Sequence, residues 1–515
     1  QDVSGNLVAN AAISIQVTAS AGNGATLGGT TTMTTVNGIG DFATNASGLK
    51  LSGTVGQYVL TFAKVGGGLT TDMQTVNLVP AAADHLQLVQ SALGSVSGSN
   101  LTTQPILFVV DIDGNIVSSG TGSDATVDAT LTANGSGSAT LSGTTQVQAS
   151  GGQIHFADLR ITGEVGAYTL TYSISAPASL NTFSASQSIS VSPGSAVAVV
   201  VGQQPSTVKT RATMTPAPTV TLRDAWNNVV TTDSASGVTV TLLDSTGTVV
   251  GAESAATTAN AGVATFASLA YQTTPADGYR LRFKLVGNGA TVTSNAFTVN
   301  PGDATELRIT TQPASYDLSL TQTKTGELLG VQPVVALYDQ DGNLVTTTNS
   351  GAATIAIATG SGGILTEGAT TANFVGGVAT FAGVKLTATP ATAYKVKFTS
   401  GSLTSLNSND LIVTHNVADH LAVQQGFAGG RAGVGFTTAA KVRILDRYGN
   451  LVNTGTQSST VIRTAVSAGG SLMGGTQVSA SAGVATFSSL IMGGSTSGSY
   501  TITFSTTNSA IDRKS

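Results

Sequence analysis

The sequence predicts an all-β chain of tandem β-sandwich domains forming an elongated rod, and three observations carry that prediction. The composition is 41% hydrophobic but only 9% charged, against about 25% charged in an ordinary soluble domain. Gly contributes 62 of the 515 residues, and the β-branched residues around it favour short strands and tight turns over helices. The length corresponds to four or five domains of the usual size, roughly 100–150 residues each. Finally, three sequence landmarks recur five times along the chain, the mark of a repeat architecture.

The first landmark is an apolar strand running into Asp-x-x-(Gly/Asn)-Asn, at 2–6, 111–115, 224–228, 339–343 and 446–450. Successive aspartates lie 109, 113, 115 and 107 positions apart. The second is a Gly-rich turn followed by an alternating strand that ends in Phe42, Phe156, Phe266, Phe381 or Phe487. The third is a Tyr with an aromatic four residues on: Tyr58/Phe62, Tyr168/Tyr172, Tyr279/Phe283, Tyr394/Phe398 and Tyr500/Phe504. In a strand, that spacing places both rings and the aliphatic residue between them on one face. These aromatics are therefore expected in the core, with the Tyr hydroxyl tied to nearby backbone.

Read in this way, residues 81–194 hold seven strands, predicted at 86–90, 106–110, 126–132, 139–148, 153–161, 168–173 and 184–191. Strands of this length at short intervals, punctuated by Gly, Asn and Asp, describe a sandwich. Short linkers at 80–84, 192–196, 300–304 and 415–419 divide the chain into repeats at 1–80, 81–194, 195–302, 303–417 and 418–515. Linkers this short are stiffer than Gly/Ser coil. The first repeat starts at the Asp turn and the last stops soon after its Tyr strand. Both read as incomplete, so the chain is expected to be a window on a longer array, or to have its missing strands supplied by a neighbouring subunit.

The Asp turn, (Leu/Met)-x-Gly-Thr at 27–30, 141–144 and 473–476, Gly-Val-Ala-Thr-Phe at 262–266, 377–381 and 483–487, and the Tyr strand together resemble bacterial immunoglobulin-like repeats. Such repeats occur in invasin/intimin-type adhesins, S-layer proteins and giant surface proteins. The resemblance implies an extracellular, cell-surface or secreted bacterial protein with a structural or adhesive role, as stalk, S-layer or sheath filament. It implies partners among other copies of the chain or other surface components, and no enzymatic activity. An array of glycan- or receptor-binding modules is the alternative.

A net charge of −5 with no basic stripe argues against nucleic acid, whose binding needs clustered cations. No run approaches the roughly 18 apolar residues of a membrane span. The absence of cysteine removes disulfides, thiolate chemistry and Cys-type zinc sites. No catalytic residues are expected, because the only recurring acids are the turn aspartates, for which a solvated Asx turn is a sufficient reason. Calcium is the one ion with candidate ligands: Asp111/Asp113 and Asp339/Asp341 form D-x-D-G-N, and Asp84, Asp303 and Asp419 stand in the linkers. None of them has the closing Glu of an EF-hand. His85, His155, His415 and His420 are scattered and read as surface residues. Trp226, the one tryptophan, falls in a turn, poised either to pack on the linker or to meet a sugar or partner. The sequons at Asn45, Asn100 and Asn134 carry no inference in the bacterial setting that the resemblance implies.

Overall fold

The structure is a computed structural model that describes residues 1–20, 24–43, 47–314, 322–366, 370–390, 392–494, 498–508 and 511; Asn45 lies outside them. Among the described residues the chain is strand and loop with two short 3-10 turns. It separates into two compact units, one of Gln1–Pro205, Pro216–Ala267 and Arg280–Asn295, the other of Ser206–Thr215, Ser268–Tyr279 and Ala296–Ser515.

In the first unit, residues 81–194 show the architecture most completely. One sheet has the order Gln153–His155, Ile106–Val110, His85–Gln90, and the other the order Gln146–Gln148, Thr126–Ala133, Gly166–Ala176, Ser184–Val191. All these pairs are antiparallel. The chain leaving the first strand then crosses to the second sheet, where Val96 bridges Ser192 in parallel. Alternation buries Leu86, Leu107, Val109 and Ile154 from one sheet against Val127, Tyr168, Leu170 and Tyr172 from the other. Each side chain of that size contributes about 1.5–3 kcal/mol on burial.

Two of the predicted strands are split. The 139–148 segment is Ala139–Ser142 and Gln146–Gln148, and the 153–161 segment is Gln153–His155 and Arg160–Gly163. Ala139–Ser142 pairs with Arg160–Gly163 in a separate two-stranded ribbon. Gly143 makes the break: its φ is +96, and a Cβ there would stand 2.3 Å from the Asp158 carbonyl oxygen. The Gly of the (Leu/Met)-x-Gly-Thr motif thus marks where the chain leaves ribbon for sheet.

Residues 1–80 place Thr32–Thr34, Ser14–Ala19, Gly56–Lys64 and Asp72–Leu78 in one sheet, beside the ribbon of Thr26–Gly28 and Lys50–Ser52. Beyond residue 195, the first unit pairs Ala198–Val201 with Thr219–Arg223 and that strand with Val263–Thr265.

In the second unit, Val208–Lys209 runs parallel to Phe297–Asn300, and Gln322–Lys324 runs parallel to Leu411–Thr414. Both repeat the crossing seen at Val96. Sheets follow from Ala304–Thr311, Val334–Asp339 and Val378–Thr380, and from Ala418–Gln425, Ala440–Asp446 and Val484–Phe487. Separate buried clusters fill these stretches, one between Leu307 and Val413 and one between Ala418 and Ile511.

The two aromatic landmarks meet throughout. Phe42 faces Phe62 (ring centroids 5.9 Å), Phe156 faces Tyr172 (5.6 Å), Phe266 faces Phe283 (5.1 Å), Phe381 faces Phe398 (5.1 Å) and Phe487 faces Phe504 (5.3 Å). These separations are those of favourable tilted and edge-to-face pairs. The Tyr hydroxyl returns to local backbone at Tyr58 (Thr54 carbonyl, 2.5 Å), Tyr168 (Glu164, 2.8 Å) and Tyr279 (Thr274, 2.8 Å). Tyr394 donates instead to the Ser361 carbonyl, 3.1 Å away. Tyr500 lies just ahead of its strand, which is Ile502–Thr506.

Candidate functional site: the Asp-loop joints

Four of the five recurring aspartates are not solvated, contrary to the sequence expectation; Asp2 is exposed, as expected. Asp111, Asp224, Asp339 and Asp446 are at most 3% exposed. Each ends a central strand and folds the next four residues around one carboxylate oxygen. Oδ1 of Asp111 accepts from the Asp113 and Asn115 amides (3.0 and 2.8 Å). Asp224 does the same with Trp226 and Asn228, Asp339 with Asp341 and Asn343, and Asp446 with Tyr448 and Asn450. The other oxygen reaches back about thirty residues to the linker. There, Oδ2 accepts the backbone N–H of Ala81, Gly194, Gly302 or Asn416 at 2.8–3.0 Å. One buried carboxylate therefore fastens both its own loop and the chain entering that sandwich.

The loop also grips what precedes it. In the first unit, the Asn115 side chain donates to the Gly53 carbonyl (2.9 Å) and accepts from the Val55 amide (2.9 Å). Asn228 makes the same pair with the Gly163 carbonyl (2.9 Å) and the Val165 amide (3.0 Å). Gly-x-Val immediately ahead of the Tyr strand is the seat in both cases. In the second unit this side-chain lock is replaced. Asp341 takes a bidentate bond from the Arg211 guanidinium and another from Gln272. Farther on, the Asn416 side chain of the linker donates to the Thr325 carbonyl and to Glu327.

The residue two places after each Asp adds the contact peculiar to its joint. Asp113 accepts the Gly53 amide at 3.0 Å, Asp341 pairs with Arg211, and Tyr448 lies against Gly326. Trp226 lies against Gly98, where a Cβ would fall 1.8 Å from the indole.

These contacts govern the electrostatics. Burial pushes the Asp111 carboxyl up, but donors from the Asn115 side chain and the Ala81, Asn115 and Asp113 amides outweigh it and leave the group below its ordinary value. Asp224 and Asp339 follow the same balance. The Arg211 side chain holds Asp341 down.

The calcium candidates are thus placed in the joints, with their oxygens turned to protein donors. Asp84 pairs with His85, Asp303 with Lys209 and Asp419 with His420. No group of three or more metal-ligating side chains forms among the described residues. His415 bonds Thr454, and His155 is exposed. Sequence reasoning missed the joint because half its partners are backbone groups with no signature of their own. The available signal was the Asn that closes all five loops.

No protein-family model matches the chain, and no curated protein matches it. Among solved structures it is similar to FdeC, an Escherichia coli adhesin, at 17% identity and TM-score 0.35, over 65% of this chain and 100% of that one. It is similar to invasin, a bacterial integrin-binding protein, at 14% identity and TM-score 0.27, over 82% of this chain and 76% of that one. Protocadherin gammaB7 gives 12% identity and TM-score 0.29, over 77% and 94%. The paired sheets, the parallel crossing of the first strand and the tied tyrosines make this chain a tandem array of immunoglobulin-like β-sandwiches.

Proposed function

We propose that the protein is a structural and adhesive repeat protein of the bacterial cell surface, in which five sandwiches divided at 1–80, 81–194, 195–302, 303–417 and 418–515 serve as a stiff extracellular stalk. The observation that carries this reading is the double fastening at the Asp111 and Asp224 loops. A linker held only by its covalent bonds would leave neighbouring sandwiches free to swivel. A linker amide bound to a buried carboxylate, with Asn115 or Asn228 bound to the preceding sandwich, resists that motion. The sparse charge, 21 Lys and Arg in 515 residues, leaves few sites for trypsin-like proteases and suits an extracellular setting.

Small-angle scattering on the full chain tests the reading. A strand of 8–10 residues spans about 30 Å, so each sandwich with its loops adds about 40 Å to a rod. The reading fails if the radius of gyration is near 24 Å, the value for one compact domain of this length.

A further inference from the structure

Between the Asp224 loop and the 81–194 sandwich, wholly within the first unit, lies a cleft of ≈ 810 Å³. It is an open groove and not an enclosed pocket. Trp226 forms part of its wall and is 37% exposed. The ring is held edge-on by Gly98, so the accessible part of the indole keeps a defined orientation. Around it stand the exposed hydroxyls of Ser192, Thr231 and Thr232, the exposed carboxylate of Glu164 and the guanidinium of Arg223. The two charges cancel. An anion would need an excess of cations, and an apolar ligand would need more apolar wall than one indole and a few valines provide.

We propose that this cleft binds a neutral oligosaccharide of two or three sugars. The C–H face of one pyranose packs on Trp226, and its hydroxyls bond the side chains of Glu164, Ser192, Thr231 and Thr232. The site belongs to this joint alone, since the positions equivalent to Trp226 hold Ser4, Asp113, Asp341 and Tyr448. It is separate from the stalk reading, which rests on the Asp carboxylates and the Asn115 and Asn228 side chains.

Trp226 is the only tryptophan, so its fluorescence in the full chain reports on this cleft and nothing else. Titration with maltotriose, cellotriose and triacetylchitotriose should give a saturable emission shift with at least one of them. By calorimetry, Trp226→Leu should abolish that binding. Because this substitution also removes a joint contact, Glu164→Gln provides the second test: its carboxylate makes none of the joint bonds, and the change should weaken binding about 5–10-fold. A linear, non-saturating response to all three sugars overturns the proposal, as does binding that either substitution leaves unchanged. Neither result would touch the scattering test of the stalk.

Discussion

Tyr172 is fully buried, and among the described residues its hydroxyl has no hydrogen-bond partner. The equivalent positions hold Phe62, Phe283, Phe398 and Phe504, so the pocket needs only a ring. Leaving a buried hydroxyl unsatisfied costs about 1–3 kcal/mol. Tyr172→Phe is therefore expected to stabilise the 81–194 sandwich by about 1 kcal/mol in denaturant melts, and a destabilised variant would show that the hydroxyl has a partner. The joint aspartates set the response to acid. Because Asp111, Asp224 and Asp339 titrate below their ordinary value when folded, their contribution is complete above the unfolded pKa of about 3.9 and is lost as pH falls through the folded value. The melting temperature should be level from about pH 5 to 7 and drop below about pH 4; a rise on acidification would contradict this assignment. Since protein donors already occupy these oxygens, adding calcium or a chelator should leave the melting temperature unchanged in a thermal-shift assay.

At the scale of the strand, Phe381 shows how the two aromatic landmarks work together. It is 1% exposed and lies 5.1 Å from Phe398 across the sandwich. Phe381→Ala should cost about 3–5 kcal/mol. The loss should be confined to the sandwich around it, because repeat arrays carry stability in units and nearest-neighbour contacts. Hydrogen exchange should then show lost protection at Ala393–Ser400 and intact protection at Gly166–Ala176; uniform loss would mean that the chain melts as one. Alternation and aromatic spacing made these strands legible in sequence, since period two is a property of the residues themselves. The breaks at Gly143 were not legible, because they depend on how closely the Asp158 carbonyl approaches. The Asp turns were readable as turns. Their burial was not, because it depends on linker amides about thirty residues away.

Across the molecule, what matters is whether the joints or the sandwiches yield first. The 81–194 sandwich has a core of many side chains, whereas the Asn228 side chain joins it through two bonds, at 2.9 and 3.0 Å. Two such bonds are worth about 1–3 kcal/mol, too little to unfold a sandwich but enough to release a swivel. The chain contains no cysteine, so a spin label at Ser118→Cys and another at Thr246→Cys, both exposed positions in the first unit, report the joint without background. In the otherwise unaltered chain the distance distribution between them should be narrow. Asn228→Ala should broaden it with only a modest fall in melting temperature, because the side chain mainly ties the sandwiches together and gives its own loop one bond, to the buried Asp224 carboxylate. Broadening accompanied by a large fall in melting temperature would make Asn228 a core residue. An unchanged narrow distribution would mean that the buried Asp224 carboxylate and the Trp226 contact hold the joint by themselves, and the stiffness of the stalk would then reside in the linker and not in the Asn lock.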